Sequence, residues 1–225
     1  CITTNGVLLP ELTGALREAG VARVNLSLDT LDREKYAFIT RGGRLEDAMR
    51  GLEAALEAGF EKVKINTVLI GGFNDTEIPA LADLTRQYPV DVRFIELMPM
   101  GGFGFGPEAY LPCGAVLKRL PEMEALPADG GVARRYRLPG GQGSIGLITP
   151  VSTQFCAQCN RIRLTADGNV KPCLHAAEEF PLKGLSREEM AAQMKRAILA
   201  KPQCHGLLTY GHHSHAERNM NQIGG

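Results

Sequence analysis

Residues 59–97 read GFEKVKINTVLIGGFNDTEIPALADLTRQYPVDVRFIEL, and this stretch decides the fold. It predicts a strand over 63–70, a helix over 78–88 and a second strand over 90–97, because short apolar runs flank a longer helical segment. A strand, a crossover helix and another strand in this order indicate two parallel strands with a right-handed connection.

The same alternation extends towards the N-terminus. One helix is predicted to end at Gly20, a strand to span 21–28, and a second helix to end at Gly59, since glycine is the usual residue after a helix C-terminus. Strands and helices in regular alternation indicate an α/β domain with a parallel sheet over residues 1–99. Both a doubly wound sheet and a barrel fit this order.

The remainder of the chain, residues 100–225, has a different character and is predicted to form a smaller second domain. Glycine-rich turns and short elements replace the regular alternation. The predicted elements are a loop at 101–106, a helix near 113–120, a hairpin around 132–149 with a glycine-rich turn at 139–143, and a helix at 186–199.

The composition is that of an ordinary globular protein. Hydrophobic residues make up 44% of the 225 residues, and 25 basic residues balance 25 acidic ones. Without a net charge, no overall field attracts the protein to nucleic acid or to a membrane surface. No window reaches the roughly 18 apolar residues that a membrane span needs. We therefore expect a cytoplasmic protein without nucleic-acid or membrane partners.

Three of the six cysteines lie close together in the sequence. Cys156, Cys159 and Cys173 fall within 18 positions, whereas the other three are scattered. In a chain without secretory features, such clustering favours a metal site over a disulfide framework. The Cys156-x-x-Cys159 spacing brings two sulfur atoms to one side of a turn.

The third cysteine is predicted to return to the first two through a hairpin. Asp167-Gly168 is a strong hairpin-turn signal. It would fold a strand over 161–165 back onto residues 170–173 and so bring Cys173 towards the pair.

Three interpretations of the cysteines remain open from spacing alone. A structural zinc site needs four ligands, and His175 could be the fourth. An iron–sulfur cluster with only three cysteines would leave one iron free to bind a substrate atom. The third interpretation is a group of buried, reduced thiols.

Two arginines next to the cysteines favour a substrate site. Residues i and i+2 of a strand face the same side, so Arg161 and Arg163 are predicted to point together. Guanidinium groups match the oxygen atoms of phosphate in a bidentate manner. Solvated arginines with ion pairs are the alternative.

These motifs together resemble those of the GTP 3′,8-cyclase family, radical S-adenosylmethionine enzymes of molybdenum cofactor biosynthesis. The resemblance spans the chain and rests on Thr3-Thr-Asn-Gly6, Asn25-Leu-Ser27-Leu-Asp29, Lys62-Val-Lys64-Ile-Asn66, Arg93-Phe-Ile-Glu96-Leu-Met98, Gly146-Leu-Ile-Thr-Pro, Cys156-x-x-Cys159-Asn-Arg161-Ile-Arg163, the 13-residue gap to Cys173, and Gly224-Gly225.

The resemblance implies an α/β fold in which a partial TIM barrel carries a 4Fe–4S cluster and S-adenosylmethionine. A smaller C-terminal domain would carry a second 4Fe–4S cluster over the barrel mouth. The activity implied is a lyase reaction that converts GTP to (8S)-3′,8-cyclo-7,8-dihydroguanosine 5′-triphosphate, after a 5′-deoxyadenosyl radical removes the ribose 3′ hydrogen. The product would pass to cyclic pyranopterin monophosphate synthase.

The resemblance also implies roles for individual residues, none of them an acid or base. Cys156, Cys159 and Cys173 would ligate the second cluster, whose free iron faces the guanine. Thr3, Lys64, Arg93, Arg161 and Arg163 would bind GTP, Ser27 and Met98 would contact S-adenosylmethionine, and the tail residues Gly224 and Gly225 would reach into the active site.

The chain departs from the family pattern in one respect. The C-x-x-x-C-x-x-C motif that binds the S-adenosylmethionine-cleaving cluster is absent from these 225 residues. Because the sequence opens at Cys1 inside a predicted strand, we expect that an N-terminal part carries the motif. The 225 residues alone are then expected to form no 5′-deoxyadenosine when reconstituted with iron, sulfide, S-adenosylmethionine and reductant.

Two rival functions follow from the same residues. One is a binding module held together by zinc, which recognises a nucleotide or RNA through Arg161 and Arg163 without catalysis. The other is a peptide-modifying radical enzyme, whose auxiliary region usually carries more than three cysteines. The family resemblance favours the cyclase, from a bacterial cytoplasm and with a homodimer as an open option.

Overall fold

The computed structural model describes residues 1–100, 104–204 and 218. The chain divides into two compact units. The first is formed by Cys1–Leu97 with Ala109–Ser152, and the second by Met98–Glu108 with the residues from Thr153 onwards. Residues 109–152 thus lie in the first compact unit. The sequence-based division into domains 1–99 and 100–225 stays a prediction.

The first unit is built on one seven-stranded sheet. Its strands follow the spatial order β1-β2-β3-β4-β7-β6-β5. The first five in this order are parallel, and β6 and β5 are antiparallel additions at one edge. The strands are β1 (Ile2–Thr4), β2 (Arg23–Ser27), β3 (Lys62–Leu69), β4 (Asp91–Glu96), β5 (Glu124–Ala125), β6 (Arg134–Arg137) and β7 (Ile145–Ile148).

Five helices belong to this unit, and four of them lie in the connections between the first four strands. They are α1 (Leu9–Glu18), α2 (Arg33–Ile39), α3 (Leu45–Glu57), α4 (Ile78–Gln87) and α5 (Gly114–Arg119). All except α2 were predicted from the sequence. The short α2 is capped by Asp32, the residue before it, whose Oδ1 accepts hydrogen bonds of 2.9 Å from the N–H groups of Glu34 and Lys35.

The two faces of the sheet differ in burial, and this difference favours a barrel over a doubly wound sheet. Along β3 every second residue is buried, starting with Val63 and Ile65, whereas Lys64 and Asn66 between them are only half-buried. The buried residues join the core formed with the helices. A doubly wound sheet is covered by helices on both faces. Here helices cover one face, and the other is polar.

The predicted hairpin around 132–149 is confirmed as β6 and β7, with Tyr136 opposite Ile145. Beyond that prediction, β7 also pairs in parallel with β4, where Arg93 lies opposite Gly146. The hairpin therefore extends the sheet instead of forming a separate element.

One helical glycine has a packing reason. Gly51 in α3 lies against the turn after β1, and a Cβ atom at this position would lie 2.1 Å from the carbonyl oxygen of Gly6. No side chain fits at that distance, so the absence of a side chain lets α3 pack onto the sheet. Gly14 in α1 has nothing within 4 Å of its virtual Cβ atom.

These two glycines give a matched stability prediction. Gly51→Ala should lower the free energy of unfolding by about 1–3 kcal/mol, because the new methyl group must displace backbone. Gly14→Ala should raise the free energy of unfolding by about 0.5–1 kcal/mol, because alanine favours helix and nothing opposes it. Urea unfolding of both variants checks this. A Gly51→Ala variant as stable as the parent would refute the close packing.

The second unit is smaller. Its described residues form an antiparallel sheet in the order β10-β9-β8 and one long helix. The elements are β8 (Arg163–Leu164), β9 (Asn169–Lys171), β10 (Phe180–Pro181) and α6 (Arg187–Leu199). A small core of Val170, Phe180 and Ala197 joins the helix to the sheet. The predicted helix at 186–199 is confirmed, and Ser186 and Glu189 form its capping box.

Candidate active site

The polar face of the first unit brings four predicted site residues into two neighbouring rows. In one row Thr3 lies opposite Asn25, which lies opposite Lys64. The next row, one step towards the carboxyl ends of the strands, runs from Ser27 through Asn66 to Arg93. Opposite residues in neighbouring strands project from the same face, so Thr3, Ser27, Lys64 and Arg93 share one surface.

This surface carries concentrated positive charge. Burial lowers the pKa of Lys64, and the nearby charge of Arg93 lowers it further, while Asp91 acts in the opposite direction. Asp91 is engaged elsewhere, because it accepts a 2.6 Å hydrogen bond from Ser144 and pairs with Lys62 at 3.1 Å. Lys64 and Arg93 repel each other, and a bound anion such as a phosphate chain would relieve this repulsion.

Two asparagines on the same face were given no role by sequence reasoning. Asn25 donates a 3.2 Å hydrogen bond to the hydroxyl of Thr3 and so orients that side chain. The Oδ1 atom of Asn66 is buried and has no hydrogen-bond partner among the described residues. Buried polar atoms are normally satisfied, so Asn66 is a further candidate for ligand contact. Alternation along β3 puts Asn66 on the same face as Lys64, but only the strand register shows that Asn66 lies between Ser27 and Arg93.

The carboxyl ends of β2 and β3 are tied together by Asp29 and Asn74. Asp29 accepts a 2.8 Å hydrogen bond from the N–H of Val68. The fully buried Asn74 donates to the carbonyl oxygens of Asp29 and Val68 at 2.7 and 2.8 Å. Burial raises the pKa of Asp29 to about 6 despite the hydrogen bond from Val68. These contacts fix the edge of the sheet beside Ser27.

At the end of β4, the buried carboxylate of Glu96 holds neighbouring segments in place by hydrogen bonds. Glu96 is 0% exposed and accepts hydrogen bonds from the N–H groups of Cys113, Val151 and Ser152 at 3.0, 3.1 and 2.8 Å. The hydroxyl of Ser152 donates to it as well. Glu96 therefore fixes the start of the segment that continues into the cysteine motif. Its burial could not be predicted from a strand pattern, because a carboxylate is rarely buried without such partners.

In the second unit, the first two cysteines lie on a single turn of 3₁₀-helix, Cys156–Gln158. The N–H of Cys159 donates a 3.0 Å hydrogen bond to the carbonyl of Cys156. This turn is the local structure that the C-x-x-C spacing predicts. Both thiols are half-buried.

The predicted hairpin that returns Cys173 is confirmed. β8 and β9 pair antiparallel, with Arg163 opposite Lys171, and Cys173 follows β9 by two residues. Gly168 adopts φ +90° in the turn, a conformation that glycine adopts without strain. Burial and the charge of Arg161 lower the pKa of Arg163, whereas the nearby Cys173 and Cys159 act in the opposite direction.

One part of the strand prediction is wrong. Arg161 does not lie in β8, which begins only at Arg163, so strand alternation does not align the two arginines. The two arginines are nevertheless close enough that, after the larger effect of burial, the charge of Arg161 lowers the pKa of Arg163. Arg161 is exposed and Arg163 is half-buried.

Lys201, which sequence reasoning missed, contacts the cysteine group. Its Nζ donates to the Sγ of Cys159 at 3.4 Å and to the carbonyl of Arg161. Burial alone would raise the pKa of Cys159, but hydrogen bonds from the backbone of Arg161 and from Lys201 lower it overall. The buried Cys113 contrasts with this, because burial and the charge of Glu96 raise its pKa to about 12. Cys159 is thus suited to ligate metal as a thiolate.

The three thiols are the donor type that binds iron–sulfur clusters. All six cysteines are free, and each thiolate of a cluster binds a different iron atom, so the sulfurs need not converge on one point. Among residues 1–100, 104–204 and 218, no three His, Cys, Asp or Glu side chains are grouped so as to hold a single metal ion. His175, the possible fourth ligand of a zinc site, is buried.

The roles predicted for Met98 and for the C-terminal glycines are not tested by the structure. Met98 is half-buried and lies two residues after β4, in the second unit. The tail residues Gly224 and Gly225 lie outside the described residues. Their roles stay predictions.

Comparison with known proteins identifies both parts of the chain. The family described as Radical SAM superfamily matches residues 1–85, and the family described as Molybdenum Cofactor Synthesis C matches residues 90–207. In the part of the chain that the structure describes, no helix is both long and apolar enough to cross a membrane.

Curated relatives match the whole chain. Proteins named GTP 3′,8-cyclase from Pelotomaculum thermopropionicum, Alkaliphilus oremlandii and Moorella thermoacetica are 47%, 44% and 44% identical to it. The alignments cover 100% of this chain and 72%, 71% and 72% of the respective relatives.

The parallel sheet with one polar face and the two family matches define a radical S-adenosylmethionine protein with a partial TIM-type barrel. Proteins of this class use 4Fe–4S clusters and S-adenosylmethionine. The chain belongs to the GTP 3′,8-cyclase family, as the sequence motifs predicted.

Proposed function

We propose that this chain binds GTP and acts in its conversion to (8S)-3′,8-cyclo-7,8-dihydroguanosine 5′-triphosphate, the first step of molybdenum cofactor biosynthesis. The observation that carries the proposal is the common face of Thr3, Lys64 and Arg93. Its positive charge suits the triphosphate of the nucleotide that the relatives are named for.

Each group on this face has a distinct task in the proposal. Lys64 and Arg93 bind phosphate oxygens, the guanidinium in a bidentate manner and the ammonium as a point charge. Thr3, oriented by Asn25, contributes a hydroxyl. Ser27, at the end of β2, contacts S-adenosylmethionine, and Met98 contributes a second contact to it. Such binding lowers the entropic cost of the reaction by fixing the ribose relative to the cofactor.

The second unit supplies the metal ligands and further cations in this proposal. Cys156, Cys159 and Cys173 would hold a 4Fe–4S cluster, and three protein ligands would leave one iron available to the guanine. Arg161 and Arg163 bind GTP beside it. The bound cofactors would supply the radical chemistry, namely one-electron cleavage of S-adenosylmethionine and removal of the ribose 3′ hydrogen. The protein binds, orients and excludes water.

The test is product formation by the holoenzyme that contains this chain. Anaerobic incubation with GTP, S-adenosylmethionine and a reductant should yield the cyclic nucleotide and 5′-deoxyadenosine, identified by mass spectrometry. ATP should give neither product. Binding of RNA or nucleotide by a zinc-containing protein without turnover would support the rival binding module instead. A cytoplasmic location, a homodimer and transfer of product to cyclic pyranopterin monophosphate synthase stay predictions.

A further inference from the structure

The row of side chains that contains Arg93 continues across the sheet to a residue without an assigned role. Arg93 in β4 lies opposite Gly146 in β7, and Gly146 lies opposite Arg135 in β6. Directly opposite residues project from the same face. Arg135 therefore belongs to the same polar face as Ser27, Asn66 and Arg93, at the edge of the sheet.

The residue between the two arginines leaves space for them. Position 146 is glycine, and a Cβ atom there would lie 3.3 Å from the Cγ atom of Arg93 and 3.2 Å from the Cβ atom of Ala133. The aliphatic part of Arg93 thus leans over Gly146, in the direction of β6. A larger residue at position 146 would press against the side chain of Arg93.

Asp129, an acidic residue followed by two glycines, lies close to these cations. Asp129 pairs with Arg135, with Oδ2 and Nη1 3.4 Å apart, and its Oδ1 accepts a 3.0 Å hydrogen bond from the N–H of Gly131. About half of the Asp129 side chain is exposed. The negative charge of Asp129 also raises the pKa of Lys64, although burial and Arg93 lower it more.

The charges on this face are therefore unequal. Lys64, Arg93 and Arg135 are basic residues of this face, and the acidic residues Asp91 and Asp129 are close enough to Lys64 to raise its pKa. Asp91, which lies opposite Lys64, is held by Ser144 and Lys62, whereas Asp129 pairs with Arg135. An exposed ion pair of this kind is weak, and a phosphate group binds a guanidinium more strongly than one carboxylate oxygen does.

We propose that Arg135 is a further phosphate-binding residue of this face and that Asp129 occupies its guanidinium until the triphosphate replaces it. The proposal rests on the proposed function, because it concerns the same nucleotide. In the free protein the carboxylate of Asp129 balances the charge of Arg135, and it competes with the substrate for that guanidinium group.

The test compares three variants of the holoenzyme by calorimetric titration with GTP and with guanosine. Arg135→Gln should weaken GTP binding about tenfold and leave guanosine binding unchanged, because only the phosphates are contacted. Asp129→Asn should tighten GTP binding about threefold, since the competing charge is gone. In the double variant the effect of Asp129→Asn should disappear, because the two side chains act as a pair.

Arg134→Gln is the matched control. Arg134 is the preceding arginine of β6, exposed and on the opposite face, so its variant should bind GTP within about twofold of the parent. If the parent binds GTP and Arg135→Gln binds it equally well, this inference fails while the proposed function stands. Equal loss of GTP and guanosine binding in Arg135→Gln would mean a structural role and would also overturn it. A parent without affinity for GTP would overturn the proposed function itself.

Discussion

Serine in place of Cys159 is expected to remove the iron–sulfur cluster of the second unit and to lower cyclase activity by more than about 100-fold. A serine hydroxyl stays protonated at neutral pH and is a poor ligand for iron, whereas the thiolate form of Cys159 is favoured by Lys201 and the backbone of Arg161. Iron and acid-labile sulfide analysis of the holoenzyme, together with the rate of product formation, measures both effects.

The control for this substitution is Cys204→Ser. Cys204 lies in the same unit but is exposed and distant in sequence from the cysteine motif. This variant should keep its iron, its sulfide and its activity. If Cys159→Ser also kept all of its iron and sulfide, the cluster would not depend on this thiol, and the proposed ligand set would be wrong.

Methionine in place of Lys64 is expected to weaken GTP binding by about 10- to 100-fold and to leave guanosine binding unchanged. Methionine keeps the length and apolar character of the side chain but removes the charge, so the polar face loses one of its two central cations. The dependence of GTP affinity on salt should also become less steep, because fewer charges contact the phosphates. Titration of the cluster-loaded protein with both ligands at two salt concentrations measures this.

Lys62→Met is the matched control on the same strand. Lys62 is exposed at the start of β3, lies opposite Arg23 outside the rows of Lys64 and Arg93, and pairs with Asp91. Its variant should bind GTP within about twofold of the parent. Equal weakening by both substitutions would mean that only net charge matters. A Lys64→Met variant with unchanged GTP affinity would contradict the proposed triphosphate site.

Local sequence patterns were sufficient for most elements. The βαβ order of residues 59–97 and the Asp167-Gly168 turn predicted β3, α4, β4 and the β8–β9 hairpin, because each depends on signals within a few residues. The helix α2 was not predicted, since its seven residues give little periodicity and only Asp32 marks its start. Arg161 was misplaced because β8 is only two residues long.

The candidate site could be predicted only in part. The family resemblance pointed to Lys64 and Arg93, but their rows on the sheet depend on strand register, which pairs residues far apart in sequence. For the same reason, Arg135 could not be connected with Arg93 before β7 was seen to join β4 to β6. Asn66 belongs to one of the family motifs, but only the structure shows that its buried Oδ1 atom has no hydrogen-bond partner among the described residues.

The central claim is that three thiolates hold a cluster with one iron free for substrate. The most direct test is metal and sulfide analysis of these 225 residues after anaerobic purification and reconstitution, since the only clustered cysteines they contain are Cys156, Cys159 and Cys173. The account predicts about four iron and four sulfide per chain and an electron paramagnetic resonance signal of the reduced cluster that changes when GTP is added. One zinc per chain, bound by the three thiolates and His175, would contradict it.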